Sequence, residues 1–164
     1  FPTRRSSDLL INFKPVNESA IAQLMAIETA CQSHPWSLKT MSSCMGGRYF
    51  NLAAFDENTL VGFYIGEKAG PDFTLMDICV TPSEQGKGIA RQLLSQFIEY
   101  GEQQNAENLF LEVRESNARA IKLYEHAGFT QMSVRKNYYP SDEPSKNGYE
   151  DAILMGMALN LAFS

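Results

Sequence analysis

The sequence predicts an α+β (mixed α/β) domain, a mixed sheet with helices packed on its faces. Two patterns and their order carry that expectation. Tyr49 to Phe55 and Leu60 to Gly66 are apolar, strand-like runs joined by the polar turn Asp56-Glu57-Asn58-Thr59, which is hairpin grammar. Farther along, strand-like and helix-like periods alternate from Phe73 to Leu159. With the opening segments added, the elements run βααβββαβαββ.

The first strand is Leu9 to Lys14. Asn17 is placed to cap a helix whose apolar stripe is Ile21, Leu24, Met25 and Ile27. His34-Pro35-Trp36 interrupts it, Ser37 caps a short second helix through about Met45, and Gly46-Gly47 ends that helix. After the hairpin, a strand from Phe73 to Val80 stops at Thr81-Pro82. Gly88 to Gln103 is the strongest helix, with Ile89, Leu93, Phe97 and Tyr100 at helical spacing and Leu94 and Ile98 widening the face. Leu109 to Arg114 is a strand, and Ser116 opens a helix, Asn117 to Ala127, that Gly128 stops. Strands near Phe129 to Val134 and Ala152 to Leu159 close the chain, with a polar loop from Tyr138 to Gly148 between them.

The 164 residues suffice for one domain, and a composition of 44% hydrophobic and 20% charged residues is that of an ordinary globular protein. No apolar run approaches the ~20 residues that span a bilayer. The basic, polar opening, residues 1–8, reads as a non-native or disordered leader, and residues 9–164 as the single domain. Cys31, Cys44 and Cys79 are widely spaced and read as free thiols of a reducing compartment. With His34 and His126 the only histidines, no metal is expected. A formal net charge of −5 argues against non-specific binding to nucleic acid and is compatible with a cationic substrate.

Gln85-Gly86-Lys87-Gly88-Ile89-Ala90 lies between a strand and the strongest helix. Its two glycines let the backbone turn tightly and approach a ligand without a Cβ in the way. The first amides of the helix lack internal partners and point outward, as a pyrophosphate cradle requires. A Gly-rich connection with no ligand explains these residues equally well when they are taken alone. A Walker A loop is excluded, because no G-K-[ST] follows at the right spacing. A Rossmann turn is disfavoured, because this turn follows the fourth strand and not the first.

The turn matches the R/Q-x-x-G-x-G/A signature of the GNAT acetyltransferases, and the segment from Leu111 to Phe129 is similar to that superfamily's other shared region. Within the superfamily the chain resembles the N-terminal protein acetyltransferases of the bacterial RimI type, which modify the N-terminal alanine of a ribosomal small-subunit protein. His34-Pro35-Trp36-Ser37, Asn137-Tyr138-Tyr139-Pro140 and Glu150-Asp151-Ala152-Ile153-Leu154-Met155 carry that likeness. It extends over roughly residues 10–160. The resemblance implies the GNAT fold, with a mostly antiparallel central sheet, acetyl-CoA as cosubstrate, and direct attack of an amine on the thioester within a ternary complex. The implied partner is a protein N-terminus, that of a basic ribosomal protein, which together with the free cysteines implies a cytoplasmic setting.

The same resemblance distributes the roles. The coenzyme pyrophosphate falls on the amides from Gly86 to Ala90, within the cofactor segment Gln85, Gly86, Lys87, Gly88, Ile89 and Ala90. The pantetheine arm falls along Ile78, Cys79 and Val80 like an added strand, where the Val80 amide would polarise the thioester carbonyl. Asn117 matches a position that contacts the coenzyme arm; on its own pattern it is a first-turn residue of a helix capped by Ser116. Glu112 alternates with apolar neighbours and faces the same way as Phe110 and Arg114, which by pattern alone favours a salt bridge; the resemblance makes it the general base. Tyr124 shares a helix face with Ile121 and reads as core; the resemblance makes it the general acid that protonates the departing thiolate.

Trp36, Tyr138 and Tyr139 fall in predicted loops and either wall a substrate groove or, for Trp36, anchor the first helices to the core. Asp142, Glu143, Glu150 and Asp151 either attract a basic peptide or simply solvate a loop. The alternatives to N-terminal acetylation are a GNAT enzyme for a small-molecule amine or lysine, and a non-catalytic acyl-CoA sensor. A sensor has no need of both Glu112 and Tyr124.

Overall fold

The structure is a computed structural model, and it describes residues 10–144 and 147–159. The expected leader, residues 1–8, and Leu9 of the first expected strand lie outside the described residues. The elements are β1 (Ile11–Lys14), α1 (Ile21–Cys31), α2 (Leu38–Ser43), β2 (Tyr49–Asp56), β3 (Thr59–Ala69), β4 (Asp72–Val80), α3 (Ile89–Gln103), β5 (Asn108–Arg114), α4 (Ala118–Ala127), β6 (Thr130–Pro140) and β7 (Tyr149–Ala158). Short 3-10 turns precede α1 and α3. The βααβββαβαββ order is the expected one. The seven strands form a mixed sheet in the order β1-β2-β3-β4-β5-β7-β6.

The chain divides into two compact units, Phe1–Glu67 with Asp77–Phe97, and Lys68–Met76 with Ile98–Ser164. In the first, β1 pairs antiparallel with β2, and β2 with β3, with a bulge at Ala54/Phe55. From Leu60 to Gly66 every residue of β3 is buried, because helices cover both of its faces. Phe63 and Ile65 join Leu24 and Ile27 of α1 and Met41 of α2 in one core. On the other face, Tyr64 meets Phe97 of α3 edge to face at 5.6 Å between ring centres. Gly62 sits where a Cβ would lie 2.9 Å from the Cys79 carbonyl oxygen, so β3 and β4 approach closely there because no side chain intervenes.

Local chemistry sets the helix ends. Asn17 accepts from the Ser19 amide and caps the 3-10 turn that leads into α1, rather than α1 itself. Ser37 accepts from the Thr40 amide at 3.1 Å and caps α2 as expected. Gly46 and Gly47 adopt φ of 118° and 65°, the left-handed region that ends that segment.

In the second unit, β4 and β5 run parallel from Asp72↔Asn108 to Leu75↔Leu111, and β7 pairs antiparallel with both β5 and β6. Leu109, Leu111 and Val113 of β5 are buried, while Phe110, Glu112 and Arg114 on the opposite face are half-buried. Gly128 takes φ 112° and stops α4.

Two expectations are corrected here. Strand β6 does not end near Val134 but continues to Pro140, so Tyr138 and Tyr139 are strand residues and not loop residues. It continues past a register shift between Arg135 and Tyr139, with Asn137 at φ 50° absorbing the irregularity. The cap of α4 is Asn117, whose Oδ1 accepts from the Ala120 amide at 3.2 Å; Ser116 is used elsewhere.

Candidate active site

The first unit holds the glycine turn. Gly86 and Gly88 have φ of 82° and 85°, conformations that favour glycine. A Cβ on Gly88 would meet nothing within 4 Å, so there glycine serves the backbone angle rather than a crowded contact. The amides of Gly88, Ile89 and Ala90 make no hydrogen bond among the described residues. They open α3, a helix of 15 residues, so three donors and the positive end of the helix dipole lie together. That is the arrangement a pyrophosphate requires.

The side chains around the turn do other work. Gln85 donates from Nε2 to the Val80 carbonyl oxygen at 3.0 Å, tying the turn to the end of β4. Lys87 pairs with Glu84 at 2.8 Å. Ile89 is buried in the core, so only its amide is available to a ligand. Ile78, Cys79 and Val80 lie beyond the last β4–β5 pair, Leu75↔Leu111. The Cys79 side chain is buried among Leu24, Ile27 and Phe63, which leaves its backbone alone for any coenzyme contact.

Trp36 packs half-buried against the core of this unit, and its amide donates to Glu28 Oε2 at 2.8 Å. Of its two readings, the anchoring one has these contacts behind it. Beneath it lies a group the sequence did not single out. Glu28, Asp77 and Cys79 are all buried, and Cys79 Sγ donates to Glu28 Oε1 at 3.3 Å. Burial, and then the facing Glu28 carboxyl, hold Asp77 well above the usual carboxylate range.

The second unit holds the proposed catalytic groups. Arg135 Nε lies 2.9 Å from Glu112 Oε1, so the salt bridge that the strand pattern favoured is present. The Arg135 guanidinium covers the Tyr138 ring at 5.2 Å, and Arg114 covers Tyr139 at 4.5 Å. The two tyrosine rings meet edge to face at 5.0 Å. Burial, with the Glu112 charge nearby, pushes the Tyr139 phenol up to about 12. Glu112, Tyr138 and Tyr139 therefore come together on one face of β5 and β6, and Arg114 and Arg135 complete the group.

Tyr124 is buried on α4, its ring 6.2 Å from that of Phe129 in an edge contact. Asn117 spends its Oδ1 on capping α4 and keeps its amide nitrogen for other partners. Glu150 and Asp151 lie on strand β7 and not in a solvated loop. Glu150 is buried and accepts from the Ser116 hydroxyl at 2.7 Å and the Ser116 amide at 3.2 Å, with Arg114 at 3.4 Å. Asp151 accepts from Lys136 at 3.0 Å and from the Asn137 amide at 2.9 Å, and so holds the β6 irregularity in place.

The first unit thus offers helix-N-terminal amides at its glycine turn, and the second a carboxylate on β5 and a buried phenol on α4. The acetyltransferase (GNAT) family model matches residues 21–129, and the chain belongs to that family. It is an acetyl-CoA-dependent N-acetyltransferase. It is 38% identical over 135 residues to the [ribosomal protein bS18]-alanine N-acetyltransferase of Escherichia coli K12, covering 82% of this chain and 88% of that protein. The Haemophilus ducreyi protein of the same name is 35% identical over 142 residues, covering 87% and 96%. The crystal structure of the ribosomal-protein-S18-alanine N-acetyltransferase from Escherichia coli superposes with a TM-score of 0.87 at 35% identity, over 93% of this chain and 96% of that one. Arabidopsis thaliana NAA60 in complex with acetyl-CoA, at 18% identity and a TM-score of 0.81 over 92% and 99% of the two chains, shares the fold.

Proposed function

We propose that this protein transfers the acetyl group of acetyl-CoA to the N-terminal α-amino group of a protein, the N-terminal alanine of ribosomal protein bS18. The observation that carries this reading is the likeness to the bS18-alanine acetyltransferases, at 35–38% identity over more than four-fifths of this chain. A ribosomal protein as substrate implies a cytoplasmic setting for this reading. Separately, no helix among the described residues is long and apolar enough to cross a membrane.

In this reading the amides of Gly88, Ile89 and Ala90 hold the pyrophosphate, and Gln85 keeps the turn in register with the end of β4. The backbone of Ile78 to Val80 takes the pantetheine arm, and the Val80 amide polarises the thioester carbonyl. Glu112 accepts the proton of the attacking amine, directly or through one water. An α-amino group titrates near ~8, so part of it is already neutral at pH 7.5 and the carboxylate removes the proton as the C–N bond forms. Tyr124 donates its phenolic proton to the departing thiolate. Tyr138 and Tyr139 form part of the wall that receives the peptide's first residues.

The test is thiol release with acetyl-CoA and a peptide beginning Ala-Arg, set against free polyamines and an internal-lysine peptide. Preferred turnover of the Ala-Arg peptide is the expected result. Preference for a small-molecule amine overturns the substrate, and coenzyme binding without any thiol release points to the acyl-CoA sensor.

A further inference from the structure

We infer that Glu28, Asp77 and Cys79, with Cys31 beside them, form a binding site for a divalent cation of borderline softness, Zn2+ being the natural occupant. The site lies within the first unit, where the last turns of α1 meet β4, and it shares only Cys79, through its side chain, with the Ile78–Val80 segment whose backbone is assigned to the pantetheine arm. One ligand atom from each of Glu28, Asp77 and Cys79 lies within 4.8 Å of the other two. Cys79 Sγ is 3.3 Å from Glu28 Oε1 and 3.7 Å from Asp77 Oδ1. A tetrahedral zinc with Zn–S of about 2.3 Å and Zn–O of about 2.0 Å has S···O edges of about 3.5 Å, which those two separations bracket.

A second observation points to a ligand. Asp77 is 8% exposed, and its Oδ2 is buried without a hydrogen-bond partner. The carboxyl that carries this oxygen faces Glu28, which is itself only 1% exposed. Two acceptors buried face to face need something positive between them, a proton or a cation. No lysine, arginine or histidine among the described residues pairs with either carboxylate. The donors are few: Gln32 Nε2 reaches Asp77 Oδ1 at 3.0 Å and Cys79 Sγ at 3.2 Å, and the Trp36 amide reaches Glu28 Oε2. Both gather around the group from outside and leave Asp77 Oδ2 unserved, as the outer partners of a metal site do.

The fourth position falls to Cys31, at the C-terminal end of α1 and beside Cys79. It is the half-buried member of the set and gives a route in from solvent. Two thiols with two carboxylates favour Zn2+ over Mg2+ or Ca2+, which select all-oxygen ligands. Binding places M2+ in the cluster and releases the protons that the Asp77 carboxyl and the cysteine thiols otherwise hold. The cation then ties α1 to the Ile78–Val80 segment from its core side, a structural role.

The full-length protein, reduced with a phosphine, is titrated with Co2+ and, separately, with Zn2+. The expected result is one Co2+ per chain with a thiolate-to-cobalt charge-transfer band, displaced by Zn2+, and a rise in the unfolding midpoint with Zn2+. Cys79→Ala removes the band, and Asp77→Asn and Glu28→Gln each weaken binding by about tenfold or more. The two isosteric variants keep the test open if Cys79→Ala fails to fold. A folded wild type that shows no cobalt–thiolate band and no zinc-dependent midpoint overturns the site. So does a band that persists unchanged in Asp77→Asn and Glu28→Gln. None of these readouts uses acetylation, so the outcome is independent of the substrate assigned above.

Discussion

Arg135 reaches across β7 to place its Nε 2.9 Å from Glu112 Oε1. The register explains how: Glu112 stands opposite Leu154 and Arg135 opposite Ala152, so the two side chains meet diagonally over one face of the central strand. The carboxylate proposed as the base is thus oriented by a guanidinium that itself rests on Tyr138. Glu112→Gln keeps an acceptor for Arg135 while removing the basic group. Turnover is expected to fall by about 10²-fold or more with acetyl-CoA binding unchanged, measured by thiol release and by calorimetry. The pair itself contributes little to stability, because Arg135 is 56% exposed. Arg135→Ala is expected to cost at most about 1 kcal/mol in chemical denaturation.

Tyr124→Phe retains the ring that meets Phe129 and removes only the hydroxyl. The expected outcome is a folded protein, within about 1.5 kcal/mol of wild type, that has lost about 10²-fold or more in turnover. Wild-type rates in this variant would remove Tyr124 from the proton path.

Two glycines separate binding from stability. Gly62→Ala puts a Cβ 2.9 Å from the Cys79 carbonyl oxygen, so it is expected to destabilise by about 1–3 kcal/mol as β3 and β4 move apart. Gly88→Ala meets no atom within 4 Å but strains a φ of 85°, so it is expected to raise KM for acetyl-CoA with a stability cost nearer ~1 kcal/mol. Denaturation midpoints and initial rates on both variants test the contrast.

Glu150 is a buried carboxylate serving Ser116 and Arg114 at the approach to α4. Glu150→Ala leaves the Ser116 hydroxyl and amide without their acceptor, takes the carboxylate from Arg114, which keeps the Pro140 carbonyl, and is expected to cost about 3 kcal/mol, read from urea unfolding. Glu150→Gln, which keeps an oxygen for Ser116, is expected to cost less.

Tyr139, held up to about 12 by burial and by the Glu112 charge, is expected to add nothing to the tyrosinate absorbance through about pH 10. The sign follows from the two states. The unfolded phenol releases its proton near ~10 while the folded one keeps it, so the stability this phenol contributes is full below ~10 and is lost as pH rises toward 12. Difference spectra of wild type against Tyr139→Phe isolate this residue. In Glu112→Gln its midpoint is expected to fall, because one of the charges opposing the phenolate is gone.

Local pattern showed where the candidate residues stand, while their roles came from the family resemblance. Glycine spacing before an amphipathic helix marked the turn from Gln85 to Ala90, and the apolar alternation marked Glu112 as a paired carboxylate, the Arg135 salt bridge being the pairing found. Tyr138 and Tyr139 were misplaced because Pro140 and the polar run after it read as loop, whereas pairing with β7 carries the strand through an irregularity that no period reveals. The cap of α4 is Asn117 and not Ser116 for a similar reason. Either side chain suits a helix cap, and what decides is that Glu150, 34 residues away, takes the Ser116 hydroxyl.

By itself the sequence determined the order of the elements, the helix that follows the glycine turn, and the alternation that turns Glu112 away from the buried face of β5. These are short-range properties, set by side-chain periodicity and by the backbone freedom of a few glycines. Tertiary structure alone decided which charges meet. The Glu112–Arg135 pair depends on the insertion of β7 between β5 and β6, and the Glu28–Cys79 contact joins residues 51 positions apart. Burial changes what a carboxylate or a thiol will do, and burial is a property of the packed whole that no local window contains.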